Sequence, residues 1–189
     1  TIPLLKSLGI RKLNYLFLTH GDKDHAGEAI YLEKNFQVDN IYLNLGQQQA
    51  LEQNIRKEIP RTKQVGQEEI FQTGNFTLYQ INKKWEDENA GSSVFYVTHP
   101  DLTVLLMADA TTKTEAYLQK NYNLKVDIVK IGHHGSNTST SLSFLKKTKP
   151  RLVLISVGEN NRYHHPSKEV LDRLSTQNIP YLQTKASGT

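Results

Sequence analysis

The chain has 189 residues, of which 37% are apolar and 22% charged, as is ordinary for one soluble globular domain. It contains no cysteine, which excludes disulfides, thiolate metal sites and cysteine nucleophiles, and no run reaches the roughly 18 apolar residues that a membrane span needs. The net charge is +4, and residues 144–189 hold eight Lys or Arg against three Asp or Glu, which either attract a polyanion or form solvated helix surface.

Hydrophobic runs and turn residues predict strands and helices throughout the chain. In chain order, we predict strand 13–18, helix 26–35, strand 41–45, helix 47–59, hairpins 70–72 with 76–81 and 94–97 with 102–107, helix 111–121, strand 126–131, helix 142–147, strand 152–157, helix 167–175 and strand 179–184. This order predicts an α/β fold, a four-layer αββα sandwich. Residues 1–189 would form a single domain. Because the chain lacks an initiator Met and stops just after a strand, we expect a piece of a longer protein, cut at both ends.

The most informative stretch follows the first predicted strand, where four metal-capable side chains fall within six residues: His20, Asp22, Asp24 and His25. An extended backbone would direct His20 and Asp22 to the same side, whereas Asp24 and His25 need a tight turn to reach a second point close by. The pattern indicates two metal ions a few ångströms apart, one held mainly by each pair. The alternative is a polar turn with an incidental histidine.

Two further polar clusters follow predicted strands. Asp109 ends an apolar strand and is either a metal ligand or the N-cap of the next helix. His133 and His134 lie between glycines at the end of another strand, and they offer one metal ligand plus a neighbour able to contact substrate.

A fourth cluster, in the loop 156–166, contains Asn160, Arg162 and His165. Such a loop could hold a phosphate or protonate a leaving group, or it is an ordinary polar loop before a helix. All four clusters lie at carboxyl ends of predicted strands, where a sheet can bring them to one edge.

Together these motifs resemble the metallo-β-lactamase superfamily. The usual leading motif, His-x-His-x-Asp-His, here reads His-x-Asp-x-Asp-His. This Asp, with Gly-His-His-Gly-Ser and a late Gly-Glu-Asn-Asn-Arg-Tyr-x-His-Pro, is most similar to the extracytoplasmic hydrolase domain of ComEC-type DNA-uptake (competence) proteins. The resemblance runs from about Lys12 to the end and implies a di-metal hydrolase of that fold, with the opening strands of the family lying upstream of Thr1.

The resemblance also implies the role of each residue. Two divalent ions, zinc or manganese, would be held by His20, Asp22, Asp24, His25, Asp109 and one of the paired histidines, His134 by analogy with Gly-His turns elsewhere in the superfamily. The catalytic residues would be Asp24, His165 and His133, and the residues in contact with substrate would be Asn160, Arg162 and His165. The family usually has another His ligand before the bridging Asp; residues 89–94 contain none, and His99 fits poorly.

The leading hypothesis is therefore a di-metal phosphodiesterase, a nuclease that degrades DNA during competence-related uptake, with single-stranded DNA as its partner. Lys130 and Arg162 would guide the nucleic acid. The resemblance implies an extracytoplasmic domain of a bacterial cell-membrane protein, although these residues themselves require no membrane contact. The alternatives are a hydrolase of a small phosphodiester or lactone, and a non-catalytic DNA-binding domain with a degenerate metal site. An open basic groove would favour the polymer, and a closed pocket the small molecule.

Overall fold

The computed structural model describes residues 1–46 and 48–188, and over these residues ten strands form two sheets. Strands β1 to β10 are, in chain order, Lys12–Phe17, Gln37–Leu43, Lys63–Gln64, Ile70–Thr73, Phe76–Gln80, Phe95–His99, Leu102–Leu106, Ile128–Lys130, Leu152–Ile155 and Tyr181–Gln183. The smaller sheet is parallel, with the order β1-β2-β3. The larger sheet has the order β10-β9-β8-β7-β6-β5-β4 and is antiparallel from β4 to β7 and parallel from β7 to β10.

Eight α-helices and one 3-10 turn lie within the described residues. Helices α1 to α8 are Ile2–Ser7, Lys23–Ala26, Ala29–Asn35, Ala50–Glu58, Thr112–Asn121, Leu142–Thr148, Lys168–Thr176 and Thr184–Ser187. The 3-10 turn is Gly132–Gly135. Serine side chains cap the N-termini of two of these helices. Ser141 and Ser167 accept hydrogen bonds from backbone amides in the first turns of α6 and α7.

Three buried apolar clusters separate four layers. One contains Ile41 and Ile55 and lies between the smaller sheet and helices α1, α3 and α4. The second is rich in aromatic rings and lies between the sheets, where the ring centroids of Phe17 and Phe71 are 4.7 Å apart. The third lies between the larger sheet and helices α5, α6 and α7, and includes the completely buried Leu118. The predicted four-layer αββα sandwich is confirmed.

The first predicted helix, 26–35, is wrong in its bounds. The chain turns into α2 directly after Asp22, and this single helical turn ends at Gly27, before α3 begins at Ala29. The turn holds the metal-motif residues Asp24 and His25 on a helix rather than in a loop.

Two other predicted starts differ from the structure by at least three residues. The strand predicted at 41–45 begins at Gln37, because its polar first half also pairs with β1. The helix predicted at 47–59 begins at Ala50, because Gln49 and Glu52 form a capping box there. Its predicted start at Gln47 lies outside the described residues.

The topology brings the polar clusters to one edge. Strands β7, β8 and β9 are parallel neighbours, so their carboxyl ends point the same way. Asp109 follows β7, the paired histidines follow β8, and the loop 156–166 follows β9. The motif after β1 reaches the same place, since Nε2 of His25 lies 3.1 Å from Nε2 of His134.

Candidate metal centre

One carboxylate lies at the centre of the site. The side chain of Asp109 is only 3% exposed. Its Oδ1 lies 3.1 Å from Nε2 of His25 and 3.6 Å from Nε2 of His134. Its Oδ2 lies 3.8 Å from Nε2 of His20 and 3.8 Å from Nε2 of His133. The two oxygens therefore face two different pairs of imidazoles, as a carboxylate shared between two neighbouring metal ions would.

Two overlapping groups of side chains offer metal ligands. In the first, His20, His25 and Asp109 each place one ligand atom within 4.8 Å of the others. In the second, Asp24, His25 and His134 do the same, with Asp24 Oδ2 3.3 Å from Nε2 of His134 and 3.8 Å from Nε2 of His25. Because His25 belongs to both groups, the sites they form lie side by side.

Hydrogen bonds on the far side of the imidazole rings orient them. The Ser156 carbonyl oxygen lies 2.7 Å from Nδ1 of His134 and can only accept, so Nδ1 carries the proton and Nε2 presents a lone pair. The Thr19 hydroxyl lies 3.2 Å from Nδ1 of His20 and 3.3 Å from Nδ1 of His25, and its two lone pairs can accept from both. All three Nε2 lone pairs then face the same space, together with the carboxylates, which favours a cation between them.

Electrostatics within the site point to the same conclusion. Burial, followed by the charge of His25, lowers the pKa of His20 to about 4, and its buried Nε2 has no hydrogen-bond partner among the described residues. Burial alone would raise the pKa of Asp109, but contact with His25 and the positive charge that His25, His134 and His20 carry when protonated hold it well below its usual range. This buried carboxylate therefore needs positive charge, which a protonated imidazole or a metal ion supplies. The residues present fit divalent ions.

The paired histidines lie on an unusual turn. His133 and His134 both have left-handed backbones, with φ of 48° and 53°, a conformation that costs a residue other than glycine about 1–3 kcal/mol. The turn is held against the end of β7, because the His133 amide donates to the Ala108 carbonyl oxygen at 3.0 Å. At Gly132 a Cβ atom would lie 2.3 Å from the carbonyl oxygen of Ala110, so only glycine fits this approach.

Lys130, which was expected to guide nucleic acid, makes a hydrogen bond within the fold. Its ammonium donates to the Ala108 carbonyl oxygen at 3.2 Å, and burial lowers its pKa. Because this contact directs the ammonium at the turn preceding Asp109, it does not support the expected role of Lys130 in guiding nucleic acid. The side chain instead supports that turn.

Asp22 lies at the edge of the site and belongs to neither group of three. Its side chain is 51% exposed, and its Oδ2 lies 3.5 Å from Nε2 of His20. Burial, followed by the charge of Asp22, raises the pKa of the neighbouring Glu88. The surroundings are therefore acidic, and Asp22 stays a predicted ligand.

The segment 89–94, where the family usually has a histidine, does reach the first motif. The Ser93 amide donates to the Thr19 carbonyl oxygen at 2.9 Å, and the buried hydroxyls of Ser92 and Ser93 have no hydrogen-bond partner in the part of the chain that the structure describes. His99 lies at the end of β6, where it pairs with Asp101 at 3.3 Å, so it is not brought to the centre.

A cleft of about 1220 Å³ lies in front of the metal groups. The metal-motif residues Asp22, Asp24, Asp109, His133 and His134 form part of its lining. Three cationic side chains also line it, namely Lys23, Arg162 and Lys185. All three are exposed, so the cleft is open to solvent along this rim.

The loop 156–166 forms one wall of the cleft. The His165 ring lies 5.9 Å from the His133 ring, and burial, followed by the charges of His133 and His134, lowers the pKa of His165. Asn160 is exposed and does not line the cleft, whereas Asn161 does. The Asn161 amide donates to the His165 carbonyl oxygen at 2.9 Å and accepts from the His165 amide at 2.7 Å.

Sequence reasoning assigned no role to four residues that the structure places in or around the site. Thr19 orients two imidazoles, Asn161 fixes the loop, and Lys23 and Lys185 line the cleft. The doublet of asparagines and the Thr before the first His were visible signals. Lys185 gave none beyond its charge, because only the fold brings α8, which follows β10, to the cleft.

The chain is similar in sequence to proteins with known names. The chain is 32% identical over its whole length to ComE operon protein 3 of Bacillus subtilis, of which the match covers 25%. It is also 32% identical, over 99% of its length, to competence protein ComA of Neisseria gonorrhoeae, of which 26% is covered. The chain thus spans about a quarter of the length of these relatives. No family model matches it, and none of the helices in the described part is long and apolar enough to cross a membrane.

Solved structures show the same fold. The metallo-β-lactamase fold protein YhfI of Bacillus subtilis has a TM-score of 0.57 and 13% identity, with 97% of this chain and 81% of YhfI covered. CmlA, a diiron β-hydroxylase from Streptomyces venezuelae, has a TM-score of 0.65 and 13% identity, with 92% and 44% covered. The chain therefore has the metallo-β-lactamase fold and is a homologue of one segment of bacterial competence proteins.

Proposed function

We propose that this domain is a metal-dependent phosphodiesterase that cleaves DNA, with single-stranded DNA as its substrate. The observation that carries the proposal is the pair of overlapping ligand groups, which share His25 and open onto a wide cleft with a cationic rim. The relatives named as competence proteins make DNA the favoured polymer.

The metals would be two divalent ions, zinc or manganese. Asp24, His25 and His134 would hold one, and His20, Asp22 and Asp109 the other, with Asp109 facing both. Bound there, the ions would supply Lewis acidity toward a phosphoryl oxygen and would make water a stronger acid.

The surrounding side chains supply orientation. The carboxylates of Asp24 and Asp109 accept hydrogen bonds and so can fix the attacking water beside the substrate phosphorus. His133, with Nε2 3.8 Å from Asp109 Oδ2, lies beside the space a substrate phosphate would enter. His165 would lie at the leaving oxygen, and the guanidinium of Arg162 would contact a phosphate.

The shape of the cleft favours a polymer over a small substrate. Pockets for small ligands have volumes of about 300–1,000 Å³ and enclose most of the ligand. This cleft is larger, at about 1220 Å³, and its rim is solvent-exposed. Apart from the proposed metal ligands, which include Asp22, its charged lining residues are Lys23, Arg162 and Lys185 against Glu159, a balance suited to a phosphate backbone.

The same relatives suggest a setting. We propose that the domain acts during DNA uptake, as an extracytoplasmic part of a longer protein of the bacterial cell membrane. The whole protein would supply the membrane-spanning part.

The direct test is cleavage of end-labelled single-stranded and duplex DNA with Mn²⁺ or Zn²⁺. We expect metal-dependent cleavage by the parent protein and none by Asp109→Asn. The matched control is Asp101→Asn, whose carboxylate is 84% exposed and pairs only with His99 among the described residues. Cleavage of a small phosphodiester or lactone but not of DNA would replace the proposal with the small-substrate hydrolase. DNA binding without cleavage or metal would indicate a non-catalytic domain.

A further inference from the structure

An exposed aromatic ring stands at the mouth of the cleft. Tyr163 lines the cleft, yet it is 62% exposed. Its ring lies nearly parallel to that of His165, with the centroids 5.8 Å apart and the planes at 20°. The His165 ring in turn lies 5.9 Å from that of His133, next to Asp109. An aromatic row therefore leads from solvent to the metal groups.

A cation accompanies this ring. The guanidinium carbon of Arg162 lies 4.6 Å from the Tyr163 ring centroid, and the same guanidinium donates to the Tyr163 hydroxyl. The planar cation thus lies over the ring, and the two exposed side chains form one aromatic and cationic surface. Proteins hold single-stranded nucleic acid with this combination, stacking a base on the ring and pairing a phosphate with the cation.

The segment that carries the pair is held in place. Besides its two bonds to the His165 backbone, the Asn161 amide donates to the Gly158 carbonyl oxygen at 3.1 Å. The far end of the segment is packed on the histidine turn, where the Ser167 amide donates to the Gly135 carbonyl oxygen at 2.9 Å. A platform fixed in this way loses little conformational entropy when a base stacks on it.

We propose that Tyr163 is a stacking platform for one unpaired nucleobase, and that it gives the domain its preference for single-stranded over duplex DNA. The inference rests on the proposed function, since it names how that same site holds its substrate. Bases within a duplex are already stacked on each other, so the platform serves only an unpaired one.

The test compares two oligonucleotides of equal length and charge, a normal single strand and one in which every site is abasic. Binding is followed by fluorescence anisotropy with protein carrying Asp109→Asn, so that no cleavage occurs. We expect the normal strand to bind at least roughly 5-fold more tightly, since stacking of a base is worth about 1–3 kcal/mol. Tyr163→Ala should remove the difference and Tyr163→Phe should keep it. The control Tyr31→Ala, a tyrosine 58% exposed on α3, should change nothing.

The outcomes separate this inference from the proposed function. If the protein binds neither oligonucleotide at low salt, DNA is not the substrate and both ideas fail. Equal binding of the two strands, or an unchanged preference in Tyr163→Ala, overturns the platform and leaves the nuclease standing. Arg162→Ala should weaken binding of both strands and reduce the salt dependence, unlike Arg151→Ala, whose side chain is 84% exposed and pairs with Asp127.

Discussion

Replacing Gly132 by alanine tests whether the close approach of two turns sets the metal centre. The new Cβ would lie 2.3 Å from the carbonyl oxygen of Ala110, about 1 Å nearer than an ordinary contact allows. The obstacle is backbone rather than a flexible side chain, so the turn carrying His134 must move away from Asp109. Overpacking of this kind costs about 1–3 kcal/mol of stability. We expect a folded protein whose metal affinity falls by roughly 10- to 100-fold, as when support for ligands is lost.

Metal affinity would be measured by titration calorimetry with Mn²⁺ and Zn²⁺, and stability by urea denaturation of the metal-free protein. The matched control is Gly158→Ala, because a Cβ at Gly158 meets nothing within 4 Å and the same methyl group is added beside the cleft. That variant should bind metal as the parent does. Parental metal affinity in Gly132→Ala would refute the idea that this approach sets the ligand geometry.

Three further results are expected. Thr19→Val should lower metal affinity by roughly 10- to 100-fold, because it removes the hydroxyl acceptor shared by two imidazoles, whereas Thr19→Ser keeps the hydroxyl and should bind metal as the parent does. Equal calorimetric affinities of Thr19→Val and the parent would contradict this. Burial raises the pKa of Glu115, so its stabilising contribution is complete below the unfolded pKa and is lost as pH rises through the folded pKa. In urea denaturation, the free energy of unfolding of Glu115→Gln should therefore rise relative to that of the parent from pH 4 to pH 8. A constant difference between the two proteins would count against this. Mn²⁺ at 100 times the Kd of a site should raise the free energy of unfolding by about 2.7 kcal/mol for each site filled, and the total gain should shrink in His134→Ala.

The sequence was sufficient for elements with a strong hydrophobic pattern. The two hairpins pair as predicted, and β8 and β9 lie within their predicted runs. Three short elements escaped, namely α1, β3 and α8, because segments of two to six residues are too short to show a periodic pattern. The helix break near Gly27 was also missed, since an apolar periodicity continues across it.

The sequence predicted which residues form the site, but not the contacts between them. The first motif pointed to ligands at His20, Asp22, Asp24 and His25, and the resemblance added Asp109 and His134. Apart from Asp22, the fold brings their ligand atoms together in two overlapping groups. The roles of supporting groups depend on distances that no spacing encodes. Thr19 lies between two rings, and a buried carboxylate, Glu115, accepts from the amides of Thr140 and Ser141 to hold the segment after the histidine turn.

The central claim is that this fold assembles a two-metal centre, and the most direct measurement is the metal content of the purified domain at saturation. Elemental analysis after equilibration with Mn²⁺ or Zn²⁺ should give two ions per chain, and His25→Ala should lower the content most because His25 belongs to both ligand groups. Anomalous diffraction from the loaded crystals should place both ions beside Asp109. Fewer than one ion per chain in the parent protein would contradict the account.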